Sequence, residues 1–177
     1  MAIPPVWNTK PHDEAAAASL AQALGLWAVT ARLLAIRGIT DPDEASRFMN
    51  PTLEQLHDPL KLAGLECAAD RLLLAITNRE RIAVHGDYDV DGITSTVILR
   101  RALELLGADV GHFIPERLTD GYGLQPGTID RLHAEGVKLI VSVDCGIRAP
   151  GAARRAREVG VDLIITDHHE PDDELPD

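Results

Sequence analysis

From Arg81 onward, short apolar runs alternate with helical stretches, and that rhythm restricts the possible folds more than any other feature of the chain. The runs predicted as strands are Arg81–His85, Asp109–Ile114, Lys138–Val143 and Asp162–Thr166; the stretches predicted as helices are Ile93–Leu106, Pro126–Glu135 and Ala149–Val159. Gly107, Gly136 and Gly160 each stand at a helix end, just before the next strand. Apolar strands separated by crossover helices make a parallel sheet covered on both faces. The fold class expected is therefore α/β: a parallel sheet with helices on both faces.

The first eighty residues lack this rhythm and read as helical. Helices are expected over Asp13–Leu24, Leu26–Arg37, Asp43–Met49 and Leu65–Thr77. Gly38 stops the second, and Asp41 or Thr40 caps the third with Pro42 at its first position. Pro51 and Asp58-Pro59 punctuate the connection that follows. The division expected is a small helical N-terminal region, 1–79, and an α/β domain, 80–177.

Composition narrows the class. The chain has 177 residues, 45% apolar and 25% charged, so it buries a core and is not a disordered tail. Aromatic residues are only 3%, which leaves the core to Leu, Ile, Val and Ala. No apolar run reaches the roughly 18 residues of a membrane span, and Met1–Lys10 has no signal-peptide pattern. Cys67 and Cys145 form neither a disulfide framework nor a zinc pattern. A cytoplasmic protein with no membrane association is expected. The net charge of −11 argues against gripping nucleic acid through phosphate neutralisation. However, six carboxylates fall within the last eleven residues, and clustered carboxylates that hold a divalent cation make formal charge misleading.

In a parallel α/β sheet, functional groups collect at the carboxyl ends of the strands. Three of the four strands end in metal-ligand chemistry: His85-Gly86-Asp87-Tyr88-Asp89-Val90-Asp91-Gly92 after the first, Asp144-Cys145-Gly146 after the third, and Asp167-His168-His169 after the fourth. The second runs into Pro115-Glu116-Arg117 and then Asp120-Gly121-Tyr122-Gly123. Carboxylates packed together repel one another and cost free energy unless a cation neutralises them.

Each motif also has a plainer reading. Asp91-Gly92 can be a turn, with Asp91 capping a helix that begins near Ile93. Adjacent histidines on an extended chain point to opposite sides, so at most one of His168 and His169 faces a given ion directly. Cys145 reads as a small apolar residue packed under its loop. The Asp87-x-Asp89-x-Asp91-Gly92 spacing imitates a calcium-binding loop, but the twelfth position is Ile98 and a strand precedes it, which excludes that reading. No Lys-Ser/Thr follows the glycine, which excludes a phosphate-cradling P-loop. Carboxylates and imidazoles without a thiolate cluster suit Mn²⁺ or Mg²⁺. Two such ions about 4 Å apart, bridged by one carboxylate, activate a water and clamp the leaving oxygen of a phosphoester. Asp144 is the expected bridge, because its strand lies between the other two motifs in sequence.

Four ordered motifs, His85-Gly86-Asp87-Tyr88-Asp89-Val90-Asp91-Gly92-Ile93-Thr94-Ser95-Thr96, Asp120-Gly121-Tyr122-Gly123-Leu124, Ser142-Val143-Asp144-Cys145-Gly146 and Thr166-Asp167-His168-His169-Glu170, resemble those of the DHH phosphoesterases. Arg37-Gly38-Ile39-Thr40-Asp41-Pro42 and Leu56-His57-Asp58-Pro59 share the character of the branch that degrades single-stranded DNA in the 5′→3′ direction. The resemblance runs from about Leu33 to the end of the chain and implies a specific site. Asp89 and Asp91 each bind one of two Mn²⁺ or Mg²⁺ ions, Asp144 bridges them, and His168 binds the ion shared with Asp91. His169 faces the scissile phosphate. His85 matches a metal-ligating histidine of related phosphodiesterases, with Asp87 competing for that role. Arg117 contacts a substrate phosphate, and Tyr122 supports its loop or stacks on a base.

Members of that branch are longer. They carry a further ligating aspartate, a second domain that completes the substrate groove, and an OB-type domain. The chain is accordingly read as an N-terminal portion whose α/β domain is incomplete at its C-terminal end. By itself it is expected to be weakly active or inactive, and to expose a sheet edge prone to association. The expected function is a two-metal phosphodiesterase of DNA repair and recombination, monomeric as the full-length protein, with single-stranded DNA as substrate and repair or replication proteins as further partners. Two alternatives keep the fold: a DHH phosphoesterase acting on short oligonucleotides or cyclic dinucleotides, and a catalytically silent DHH-like scaffold.

Overall fold

Local sequence chemistry sets where each helix begins. In the computed structural model, which describes residues 8–116, 121 and 123–176, the elements are α1 (Glu14–Leu24), α2 (Ala28–Ile36), α3 (Pro42–Met49), α4 (Leu65–Asn78), β1 (Arg81–His85), α5 (Val90–Leu105), β2 (Val110–Phe113), α6 (Pro126–Ala134), β3 (Val137–Val143), α7 (Pro150–Val159) and β4 (Asp162–Thr166). Asp13 caps α1 through the Ala16 N–H at 3.0 Å, and Asp41 caps α3 through the Glu44 N–H at 2.8 Å. Pro stands at the first position of α3, α6 and α7, where a missing N–H costs nothing.

Contacts divide the chain into two units, Met1–Pro59 and Leu60–Asp177. The first gathers α1–α3 around Leu20, Ala31, Leu34, Ile39 and Ala45. The second begins twenty residues before the boundary expected at 79/80, because α4 packs on the sheet. Ala75, Leu72 and Ile76 of α4 join Ile82, Val84, Leu139, Val141 and Val143, and Arg71 bonds both Glu80 and Asp162 at 2.6 Å.

All four strands are parallel, in the order β2-β1-β3-β4. Side-chain alternation sends Ile82, Val84, Leu139 and Val141 to the face covered by α4 and α5. Ala83 and Ile140 go to the other face, under Ile129 and Leu132 of α6 and Ala152 and Ala156 of α7. The chain leaves β1 for β2 on one side and β3 for β4 on the other. The order therefore reverses between β1 and β3, and the crevice outside their carboxyl ends is where such sheets bind ligands. Among the described residues, no helix is long and apolar enough to cross a membrane.

Candidate metal centre

The three strands with ligand chemistry at their ends, β1, β3 and β4, are contiguous in the sheet, and β2, which lacks it, lies at an edge. Beyond β1 the chain turns sharply into α5. Asp89, not Asp91, is the N-cap: its Oδ1 accepts the Gly92 N–H at 3.0 Å, so the helix starts three residues before the expected Ile93 and Asp91 falls in its first turn. Two glycines permit the turn. A Cβ on Gly92 would lie 2.5 Å from the backbone N and O of Asp87, and one on Gly86 would collide with Thr96 Oγ1. That hydroxyl donates to the Gly92 carbonyl at 2.7 Å. Asp87 is buried beneath the turn, its Oδ1 accepting the Tyr88 N–H at 2.6 Å, whereas Asp89 and Asp91 stand at the surface.

Asp144 follows β3 in the left-handed region, at φ 62°, a conformation that is uncommon outside glycine and marks stored strain. Its N–H donates to the Thr166 carbonyl at 2.9 Å, extending the β3–β4 ladder. The carboxylate is buried. Oδ1 lies 3.0 Å from His168 Nε2, and Oδ2 has no hydrogen-bond partner among the described residues. Burial first, and then the charge of Asp89, push the Asp144 carboxyl above its ordinary pKa, with His168 pulling the other way.

Asp167 follows β4 and has the opposite surroundings. Its Oδ1 accepts the N–H of His168 at 2.8 Å and of His169 at 3.1 Å and lies 2.7 Å from His169 Nδ1, while Oδ2 accepts the Ile147 N–H at 3.0 Å. Burial alone would raise this carboxyl, but the backbone bonds from Ile147 and His169, with the His169 ring, hold it below the usual range. The same contact with Asp167 raises the pKa of His169. By gathering both backbone N–H groups, Asp167 bends the chain, and the two rings lie side by side with centroids 4.6 Å apart. This corrects the expectation that they point to opposite sides. Asp144, His168 and His169 offer ligand atoms that all lie within 4.8 Å of one another. A cavity of about 100 Å³ opens beside His169, with Gln125, Gly146 and Arg148 in its wall.

His85 stands apart from that set. It is fully buried on the α6/α7 side, stacked 5.5 Å from the Phe113 ring, with Nδ1 3.5 Å from Cys145 Sγ and Nε2 without a partner among the described residues. Burial lowers its pKa to about 4, which keeps the imidazole neutral. Burial, and then the charges of Asp87, Asp167 and Asp144, push the Cys145 thiol up to about 12, so it stays protonated and packs as an apolar group. Of the expected ligands, the structure thus joins Asp144 to His168, sets the Asp89 charge close enough to act on Asp144, leaves Asp91 at the surface and puts His85 in the interior. Arg117 and Tyr122 lie outside the described residues. Asp167, Gly86 and Thr96 carry no role by sequence alone; the spacing of Gly92 and Thr96, one helical turn apart, is the signal for that turn.

The donor set fits a divalent cation. A buried carboxylate oxygen without a partner is costly, and oxygen plus imidazole ligands are those that Mn²⁺ and Mg²⁺ accept. Residues 81–177 match the DHH family, N-terminal domain, and the chain belongs to the DHH family. It is similar to the single-stranded-DNA-specific exonuclease RecJ of Bacillus subtilis (strain 168), with 39% identity over 171 residues, 97% of this chain and 22% of that protein. The RecJ of Thermus thermophilus is 48% identical over 121 residues, 67% of this chain and 18% of that protein. The chain thus spans about a fifth of the length of these relatives. Among solved structures, RecJ from Thermus thermophilus in complex with Mn²⁺ superposes with a TM-score of 0.68 at 37% identity, covering 92% of this chain and 22% of that one. An exonuclease RecJ bound to manganese gives 0.62 at 47% identity, covering 66% and 30%.

Proposed function

We propose that this chain carries the metal-binding part of a divalent-cation-dependent phosphodiesterase that degrades single-stranded DNA from its 5′ end. The observation that supports it most is Asp144: a buried carboxylate in strained backbone, with one oxygen 3.0 Å from the His168 ring and the other without a partner among the described residues. The similar RecJ structures were solved with manganese or magnesium, and the similar curated proteins are single-stranded-DNA-specific exonucleases.

In this reading Asp144, His168, Asp89 and Asp91 would hold Mn²⁺ or Mg²⁺, with Asp144 assigned by resemblance to serve both ions and Asp89 and Asp91 supplied from the start of α5. His85, neutral, buried apart from these groups and with a ring nitrogen lacking a partner among the described residues, is assigned as a further ligand by resemblance. The bound ions supply an activated water and offset charge developing on the phosphodiester. His169 lines the adjoining cavity, and its raised pKa favours the imidazolium, which donates to a phosphate oxygen. Arg117 and Tyr122 are assigned to substrate by resemblance. The full-length protein is read as a cytoplasmic monomer beside repair or replication partners.

The test is hydrolysis of a long 5′-labelled single strand, its duplex and a labelled dinucleotide, each with Mn²⁺ and with chelator. Metal-dependent release of 5′ nucleotides from the single strand alone supports the reading. Turnover of the dinucleotide alone transfers the activity to short oligonucleotides. No turnover by a chain that binds manganese limits the function of this stretch to metal binding.

A further inference from the structure

We propose that Asp167 is the positioning residue of His169: its carboxylate fixes the imidazole as the Nδ1–H tautomer in one orientation and leaves Nε2 as the nitrogen presented to substrate. Acceptor capacity decides the tautomer. An ionised carboxylate has no proton to give, and Asp167 Oδ1 lies 2.7 Å from His169 Nδ1. A lone pair on Nδ1 would face a lone pair on Oδ1 at that distance, so Nδ1 carries the proton. The ring geometry then puts the lone pair, or the second proton of the imidazolium, on Nε2, across the ring from Asp167.

The carboxylate can act as a fixed reference because it does not move freely itself. Its side chain is only 2% exposed, and three backbone N–H groups, from Ile147, His168 and His169, hold its two oxygens. The Ile147 bond ties the turn after β4 to the loop after β3, three residues beyond Asp144. Asp144 and His169 are thereby held in one frame. The adjacent histidines are sorted by different carboxylates: the His168 ring faces Asp144 at 3.0 Å, and the His169 ring is held by Asp167. An imidazole oriented by a carboxylate behind it is a recurrent way to fix which ring nitrogen acts. The role rests on the phosphodiesterase reading only for what Nε2 faces.

The test reads the imidazole nitrogens of the full chain by long-range ¹H–¹⁵N correlation, at a pH above the titration of His169, in the parent and in Asp167→Ser. The serine hydroxyl can still accept a local backbone N–H but is too short to reach the ring. The parent is expected to show a protonated Nδ1 and an unprotonated Nε2 at His169. Asp167→Ser is expected to lose that preference while His168 is unchanged. A parent with Nε2–H as its major form overturns the proposal, and so does a folded Asp167→Ser variant with the parent's tautomer. If the variant unfolds, the parent spectrum decides alone. Failure of the phosphodiesterase reading would show in the hydrolysis assay and leave these spectra as they are.

Discussion

Asp144 and Asp167 follow neighbouring parallel strands, both carboxylates are buried, and their electrostatic circumstances are opposite. Asp167 accepts three backbone N–H groups and one ring nitrogen. Asp144 has one imidazole contact, an oxygen with no partner among the described residues, and a charge at Asp89 that repels it. The supply of backbone donors makes the difference. The turn after β4 aims its N–H groups inward at the side chain, whereas Asp144 commits its own N–H to the ladder with Thr166. One aspartate therefore has its acceptors taken up by the fold of the site, and the other keeps an acceptor that the proposed reading gives to a cation.

Removing each carboxylate should separate those roles. Asp167→Ala removes the acceptor of three backbone N–H groups, one half-buried and two nearer solvent, at roughly 1 kcal/mol each. A loss of about 3 kcal/mol in urea unfolding is expected; an unchanged midpoint would break the contrast. Gly92→Ala probes the third turn, where a Cβ meets the Asp87 backbone. Overpacking of this kind costs about 2 kcal/mol, and the same melt checks it. Asp144→Asn tolerates the left-handed backbone and removes the unpaired charge. Without metal it is expected to match the parent or exceed it by about 1 kcal/mol, and a clear destabilisation would contradict the reading of Asp144 as a group held at a cost.

The smallest effect is on pH dependence. The folded Asp144 carboxyl holds its proton more tightly than the unfolded chain does, so its penalty is absent in acid and grows as pH rises through the carboxylate range. Asp167 is shifted down, so its stabilisation is complete above its unfolded value and is lost as pH falls through the folded one. In metal-free melts, the advantage of Asp144→Asn over the parent should therefore appear above about pH 4 and vanish below it. The deficit of Asp167→Ala should shrink only in more acid solution.

The α/β class was legible because apolar runs and helix-ending glycines report burial and period directly; β1 and β4 have the expected bounds, and those of β2 and β3 differ by no more than one residue at either end. Strand order was not legible. Periodicity says that Val84 and Val141 are buried but not that β1 and β3 are neighbours, and that adjacency makes the crevice. The helix over 65–78 was readable as a helix, yet which core Ala75 joins is decided by tertiary contact. At the site, the identity of the carboxylates was visible and their division of labour was not. Asp89 and Asp91 are equally good caps by type, and only the bond from the Gly92 N–H to Asp89 Oδ1 shows that α5 is capped by the former. Likewise, nothing in Asp167-His168-His169 announces that the aspartate's acceptors are already taken.

That Asp144 is held for a cation is tested most directly by a calorimetric Mn²⁺ titration of the full chain beside Asp144→Asn. The expected result is two ions bound by the parent and an affinity lower by about 100-fold or more in a variant that still melts cooperatively. Equal affinity in the two, or a folded parent that binds no manganese, would contradict it.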